Sequence, residues 1–302
     1  MPVIVVTDST SGLPGELVDG ARIRVVPLHV LVGADDFREG ADAAPPRSGK
    51  SAEDYTSSAA SPGEMEHAYT EALKESGGDG VVAIHLSKGL SGTWDAARQA
   101  ADRVGPRVRI VDSGSAGMSV GMAALETADV ARSGAALDEV YETAVAASAR
   151  AFSLVYIHRM DDLRRGGRLA GASSMMSSAL SVRVLLRMGG GTLEVRDKMR
   201  IPSKGLRKLV DNLVDDVGGR RVRLAIQHWQ APDRADALEQ SVRERLGDEV
   251  EVLRSELGPV LGLHLGPGSA AVSVLPAAAE PEASADGGRE YGPEPGGGSE
   301  KE

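Results

Sequence analysis

Short apolar runs alternate with longer amphipathic stretches from one end of the chain to the other. Residues 3–7, 81–86 and 108–112 are largely apolar segments of strand length. Between and after them the spacing predicts helices: a short one over 15–19, one over 63–76 closed by Gly77-Gly-Asp-Gly80, one opening at Ser91, one running to about Ala131, and one over 136–149. Residues 23–26 and 28–32 are strand-like and parted by Pro27, and residues 33–40 form a turn with a short hairpin. Residues 41–61 are rich in Ser, Ala and Pro and lack any period, which predicts a long loop and a candidate lid. Strands alternating with helices point to a parallel sheet with covering helices.

A second half starts with the strand pattern 152–157. An apolar Ser/Met/Ala/Leu helix follows over 171–180, which serves either as a core helix or as the wall of a tunnel. Strands are predicted over 182–186 and 192–199, the latter a hairpin strand after Gly189-Gly-Gly191, then a helix over 202–217. A strand over 221–227, a helix over 232–246 and strands over 250–253 and 270–275 complete the body. The 302 residues suit two α/β domains, the first spanning 1–150 with a parallel sheet and the second 151–275 with a mixed sheet. Residues 276–302 are rich in Pro, Gly and Glu and predict a disordered acidic tail.

Charge and composition narrow the chemistry. The net charge is −10, and the tail carries half of it, so the body is mildly acidic and a general nucleic-acid binder is excluded. The absence of Cys removes disulfides, thiolate catalysis and thiolate metal sites. No tight metal-ligand cluster is present, so neither a metal nor another cofactor is expected. No apolar run approaches bilayer length and the first residues lack a basic leader, so the expectation is a cytoplasmic protein without stable membrane insertion.

Candidate chemistry gathers at strand ends. The junction Ser87-Lys-Gly-Leu-Ser-Gly-Thr93 puts a helix N-terminus, with Ser91 as its N-cap, beside the Gly92 backbone and the Thr93 hydroxyl. Unpaired N–H groups and the positive end of a helix dipole favour an anionic head group there, although an ordinary capped helix has the same pattern. Asp8-Ser-Thr-Ser11 is either a ligand-facing strand end or a cap cluster. Ser57, Ser58 and Ser61, with Asp112-Ser113-Gly-Ser115, repeat the hydroxyl-rich theme. No nucleotide-phosphate loop accompanies them, so the anion is not a nucleotide. His264 lies in a glycine-rich segment, Gly262-Leu-His-Leu-Gly-Pro-Gly268, where the backbone can turn sharply; a buried structural histidine is the alternative. The other strand-associated histidines, at 29, 85, 158 and 228, are structural. Ser91 with His264 could form a nucleophile and base acting on acyl esters, but the chain has no Gly-x-Ser-x-Gly elbow, and hydrolysis ranks below binding. A lipid or phosphate sensor is a third reading. Arg164-Arg-Gly-Gly-Arg168 places guanidinium groups on a tight turn that fits a partner's acidic or phosphate groups.

Taken in order and spacing, Thr7-Asp-Ser-Thr-Ser11, Pro27-Leu28, Ser57-Ser58…Ser61-Pro62, Leu90-Ser-Gly-Thr93, Asp112-Ser113, Arg165-Gly-Gly-Arg168 and His264-Leu-Gly-Pro-Gly268 resemble the DegV family of bacterial fatty-acid-binding proteins. The resemblance spans residues 3–275. It implies two α/β domains with a long-chain fatty acid held in a pocket between them. It implies a protein that is not itself an enzyme: it is the binding subunit of a fatty acid kinase, presenting the acid's carboxylate to a separate ATP-dependent kinase subunit that makes acyl-phosphate for phospholipid synthesis. Carried over residue by residue, Ser91, Gly92, Thr93, Ser57 or Ser58, and His264 would serve the carboxylate, with Thr56 as an alternative to Ser57. Arg168 would engage the kinase. The chain departs from the family pattern at Ala60, Lys88, Ser181 and Val184.

Overall fold

A computed structural model of the chain describes residues 2–43, 45, 55–160, 163, 182–201 and 204–278. The opening apolar run becomes β1 (Ile4–Asp8), buried throughout, followed by a single 3-10 turn and α1 (Gly15–Ala21). β2 (Arg24–Val26), β6 (Val81–His85) and β7 (Val108–Asp112) join β1 in a four-stranded parallel sheet of order β2-β1-β6-β7. Its helices are α2 (Pro62–Glu75), α3 (Thr93–Val104), α4 (Met118–Arg132) and α5 (Leu137–Arg150). The start of α2 is fixed by a reciprocal capping box between Ser61 and Glu64.

Two elements differ from expectation. β3 (His29–Val32) pairs antiparallel with β4 (Asp35–Arg38), as the hairpin reading requires, but it also pairs with β5 (Tyr55–Ser58), making a separate three-stranded sheet of order β4-β3-β5. Residues 55–58 therefore leave the predicted 41–61 loop. Tyr-Thr-Ser-Ser has no apolar alternation to mark it as a strand; its backbone is recruited by β3, with Ser57 opposite Val30. Residues 44 and 46–54 of the candidate lid lie outside the described residues. The second difference is in residues 259–265, expected to be an irregular glycine-rich segment.

The second half builds a six-stranded mixed sheet from β8 (Phe152–Ile157), β9 (Arg183–Gly189), β10 (Thr192–Met199), β11 (Val222–His228), β12 (Glu251–Glu256) and β13 (Ala270–Pro276). The order is β10-β9-β8-β13-β11-β12, antiparallel except for β11 with β12. α6 (Gly205–Val217) and α7 (Pro232–Leu246) cover one face. α8 (Pro259–Leu265) is the unexpected helix: Pro259 supplies the first helical residue, and His264 sits in the last turn. The β9–β10 hairpin turns through Gly190 and Gly191, both at positive φ, as a two-residue turn requires.

The other face of the mixed sheet looks back at the first half. Met118, Met122, Ala123, Ala147 and Ala151 of the α4–α5 pair form one apolar cluster with Ala225 and Leu275. The predicted helix 171–180, the Arg164–Arg168 turn and most of the acidic tail lie outside the described residues. Among the described residues no helix is long and apolar enough to cross a membrane, and no group of His, Asp and Glu is arranged to hold a metal.

Candidate functional site

The parallel sheet grows outward from β1 in both directions, so the strand order reverses at β1 and β6. In open α/β sheets the loops leaving such a point diverge and open a crevice. Here the carboxyl ends of the two strands are locked by a buried polar cluster. Asp8 Oδ1 accepts from the Thr10 N–H, and Asp8 Oδ2 accepts from the Leu86 N–H at 2.9 Å and from His85 Nδ1 at 3.0 Å. His85 Nε2 in turn lies 2.7 Å from the Tyr69 hydroxyl. Burial, then the Asp8 charge, push that hydroxyl above the ordinary tyrosine value, so Tyr69 stays a neutral donor. Of the two readings of Asp8-Ser-Thr-Ser11, the cap cluster is the one found: Asp8 caps the 3-10 turn and fixes where the Leu86–Gly92 loop departs.

That loop runs to a cavity of about 330 Å³. Its walls come from the first half (Leu28, Leu86, Leu90, Ala116), the mixed sheet (Val155, Leu186, Met188, Leu193) and α8 with its approach (Leu257, Val260, Leu261, Leu265). The volume lies at the lower end of the roughly 300–1,000 Å³ usual for small-molecule sites. None of the described lining residues is Asp, Glu, Lys or Arg.

Five of the predicted residues, Ser57, Ser58, Ser91, Gly92 and His264, line this one cavity. They come from three elements far apart in sequence. Ser58 and Gly92 are exposed and Ser57, Ser91 and His264 are half-buried, so this cluster marks the mouth. Ser57 Oγ lies 2.8 Å from His264 Nε2. Of the two alternatives at this position, Ser57 lines the cavity and Thr56 is exposed and outside its described lining. Ser91 stands one residue before the N-cap of α3, which is Gly92, because the turn from residue 88 to 90 delays the helix. Its hydroxyl still accepts from the Thr93 N–H at 3.2 Å and pairs with the Thr93 hydroxyl at 2.9 Å. Thr93 is buried and acts behind Ser91 rather than in the wall. The histidine therefore bonds Ser57, while Ser91 is engaged with Thr93. Arg168 lies outside the described residues.

α8 is held in place from both sides. Gly262 lies so close to the Trp229 ring that an added Cβ would sit 2.3 Å from it. At the other end, Glu39 Oε1 accepts from the Val260 N–H at 2.8 Å. Glu39 is buried, and burial pushes its carboxyl above the ordinary carboxylate value, against the Ser9 hydroxyl and the Val260 N–H, which favour the anion. Glu39 follows β4 directly, so this carboxyl ties the helix bearing His264 to the small sheet bearing Ser57.

Sequence reasoning missed the buried polar groups of the cavity. Ser153, Ser273 and Gln227 line the cavity and are almost fully buried, which makes this part the floor. Gln227 Oε1 accepts from the Met118 N–H at 2.8 Å, and its Nε2 donates to the Ser255 hydroxyl at 3.0 Å. Gly117, at φ 74°, admits this side chain, since a Cβ there would meet Gln227 Oε1 at 2.6 Å. The available signal was a lone Ser or Gln at the inward position of an otherwise apolar strand.

A family model described as an uncharacterised protein of the DegV family matches residues 2–277. A DegV domain-containing protein of Mycobacterium tuberculosis is 40% identical over 281 residues, covering 93% of this chain and 100% of the relative. Among solved structures, a DegV family protein from Corynebacterium glutamicum superposes with a TM-score of 0.81 at 35% identity, covering 93% of this chain and 100% of its own. A structure concerned with fatty acid binding of a DegV family protein from Thermus thermophilus gives a TM-score of 0.83 at 30% identity, covering 92% and 100%.

Proposed function

This chain belongs to the DegV family, and on that footing we propose that it binds a long-chain fatty acid, with the acyl chain in the cavity and the carboxylate at the mouth among Ser57, Ser58, Ser91, Gly92 and His264. The observation that carries the reading is the polarity of the cavity: aliphatic walls with no charged side chain among the described residues, and hydroxyl and imidazole groups collected where it opens. A carboxylate entering an apolar groove loses hydration and needs donors in exchange. With Nε2–H of His264 donating to Ser57 Oγ, the Ser57 hydroxyl proton is free for the acid. With Thr93 donating to Ser91 Oγ, the Ser91 proton is free as well. The N-terminus of α3 adds backbone N–H groups and the favourable end of its dipole. Each buried methylene contributes about 0.8 kcal/mol, so the chain supplies most of the affinity and the mouth supplies orientation. Fatty acid binding by the Thermus thermophilus relative supports the same assignment.

In this reading the protein performs no bond chemistry. Residues 1–150 and 151–275 act as two domains closing on the acid, and the exposed mouth presents the carboxylate to an ATP-dependent kinase subunit that Arg168 engages, in the cytoplasm, for phospholipid synthesis. Native mass spectrometry of the purified protein is expected to detect a co-purifying long-chain acid, and delipidated protein is expected to reload with one. Recovery of short anions alone, with no reloading, would overturn the assignment. Arg168→Ala is expected to keep lipid binding and to lower acyl-phosphate formation with the kinase; loss of binding would move Arg168 into the pocket. The absence of turnover on aryl esters separates this reading from a hydrolase using Ser91.

A further inference from the structure

The floor of the cavity carries a chain of serine hydroxyls that runs in one direction when all four of its bonds are made together. Ser119 Oγ donates to the Ala116 carbonyl at 2.9 Å, which uses its only hydrogen. Ser115 Oγ lies 2.6 Å from Ser119 Oγ and must therefore be the donor of that pair. Ser153 Oγ donates to Ser119 Oγ at 3.2 Å. Ser273 Oγ lies 2.9 Å from Ser153 Oγ, and Ser273 is the donor when the Ser153 hydrogen is engaged by Ser119. In that arrangement four hydroxyls make four bonds, and every hydrogen is used. What remains is acceptor capacity: one lone pair on Ser153 and two on Ser273, on side chains 3% and 1% exposed that line the cavity. Ser153 and Ser273 are cross-strand partners of β8 and β13, so both oxygens sit side by side on the inward face of the mixed sheet, flanked by Val155 and Ala271.

An acceptor-only patch repels a carboxylate and leaves its lone pairs unmet beside a methylene. It is satisfied by an O–H. We propose that the preferred ligand of this cavity is a monohydroxylated long-chain acid whose hydroxyl donates to Ser273 and Ser153 at the floor. This rests on the fatty-acid reading above and adds the substrate class. The same patch explains orientation, since the acid head is excluded from the floor and accepted only at the mouth. An unsubstituted acid leaves the floor to a trapped water or to nothing, and both cost affinity relative to a matched hydroxyl.

The test is displacement binding on the delipidated full-length protein, using octadecanoic acid and a panel of monohydroxy octadecanoic acids that differ only in hydroxyl position. One positional isomer is expected to bind about 5- to 10-fold more tightly than the unsubstituted acid, the size of one well-made hydrogen bond. Ser273→Ala is expected to bring that ratio to about one, and Ser153→Ala to reduce it. If octadecanoic acid binds and no isomer binds more tightly, the floor is no hydroxyl site and the lipid reading stands without it. If none of the acids binds, the lipid reading itself falls. The comparison on the native protein decides the matter without any variant, so a misfolded Ser273→Ala leaves the test intact.

Discussion

At the scale of single residues, the mouth depends on hydroxyls whose protons are released by a neighbour. In the proposed reading His264 donates to Ser57 across 2.8 Å, which leaves the Ser57 proton for the acid. His264→Ala and Ser57→Ala are each expected to weaken fatty acid binding about 5- to 10-fold, read by titration calorimetry. Because the two share one bond, the double variant is expected to lose little more than either single one, and a fully additive loss would place them in separate roles. Ser91→Ala removes an acceptor for the Thr93 N–H as well as a donor for the acid. It is expected to cost about 1 kcal/mol of stability in denaturant unfolding, as loss of a helix-end cap does, in addition to its effect on binding.

Among the elements, α8 matters most, because it carries His264 and depends on two contacts outside itself. Gly262→Ala forces a Cβ against the Trp229 ring and is expected to destabilise the protein by about 1–3 kcal/mol and to shift the imidazole from Ser57. Glu39 gives the same helix a pH dependence. Its folded-state carboxyl is raised above the ordinary value of 4.5, mainly by burial, so the native state holds the proton more firmly than the unfolded chain does. Stability from this group is therefore fully present below the ordinary value and is lost as pH rises through the folded value. Glu39→Gln keeps an acceptor for the Val260 N–H and removes the titration. Urea unfolding from about pH 4 to pH 7 is expected to show a decline in the native protein that the variant lacks. Parallel pH profiles for the two would sink the burial argument.

For the molecule as a whole, the cavity is a joint product of both halves, with walls from the first half facing Val155, Leu186 and Met188 of the mixed sheet. Filling it should discriminate by chain length. Val155→Phe is expected to abolish octadecanoic acid binding and to spare a much shorter acid that stays near the mouth. Ligand also couples to the stability of the whole chain: an acid at about 100 times its Kd raises the unfolding free energy by about 2.7 kcal/mol, visible as a melting point that climbs with ligand concentration. A melting point indifferent to every fatty acid would argue against occupation of the cavity.

Most of the strands and helices were legible in the sequence, because period and glycine turns are local: Gly77-Gly-Asp-Gly80 announces the end of α2, and Gly189-Gly-Gly191 announces the hairpin. The segments that meet at the candidate site were legible as hydroxyl-rich loops and a histidine among glycines. What escaped was everything set by a distant partner. β5 is a strand because β3 offers an edge, α8 is a helix between Trp229 and Glu39, and the Asp8–His85–Tyr69 cluster closes across strands. The pairing of His264 with Ser57 rather than Ser91, and the acceptor floor at Ser153 and Ser273, also arose only on folding. Sequence determines what each short segment can do, since backbone preference and side-chain chemistry act over a few residues. The tertiary structure decides which groups meet, because a hydrogen bond acts only within about 3 Å and that proximity is set by the packing of the whole chain.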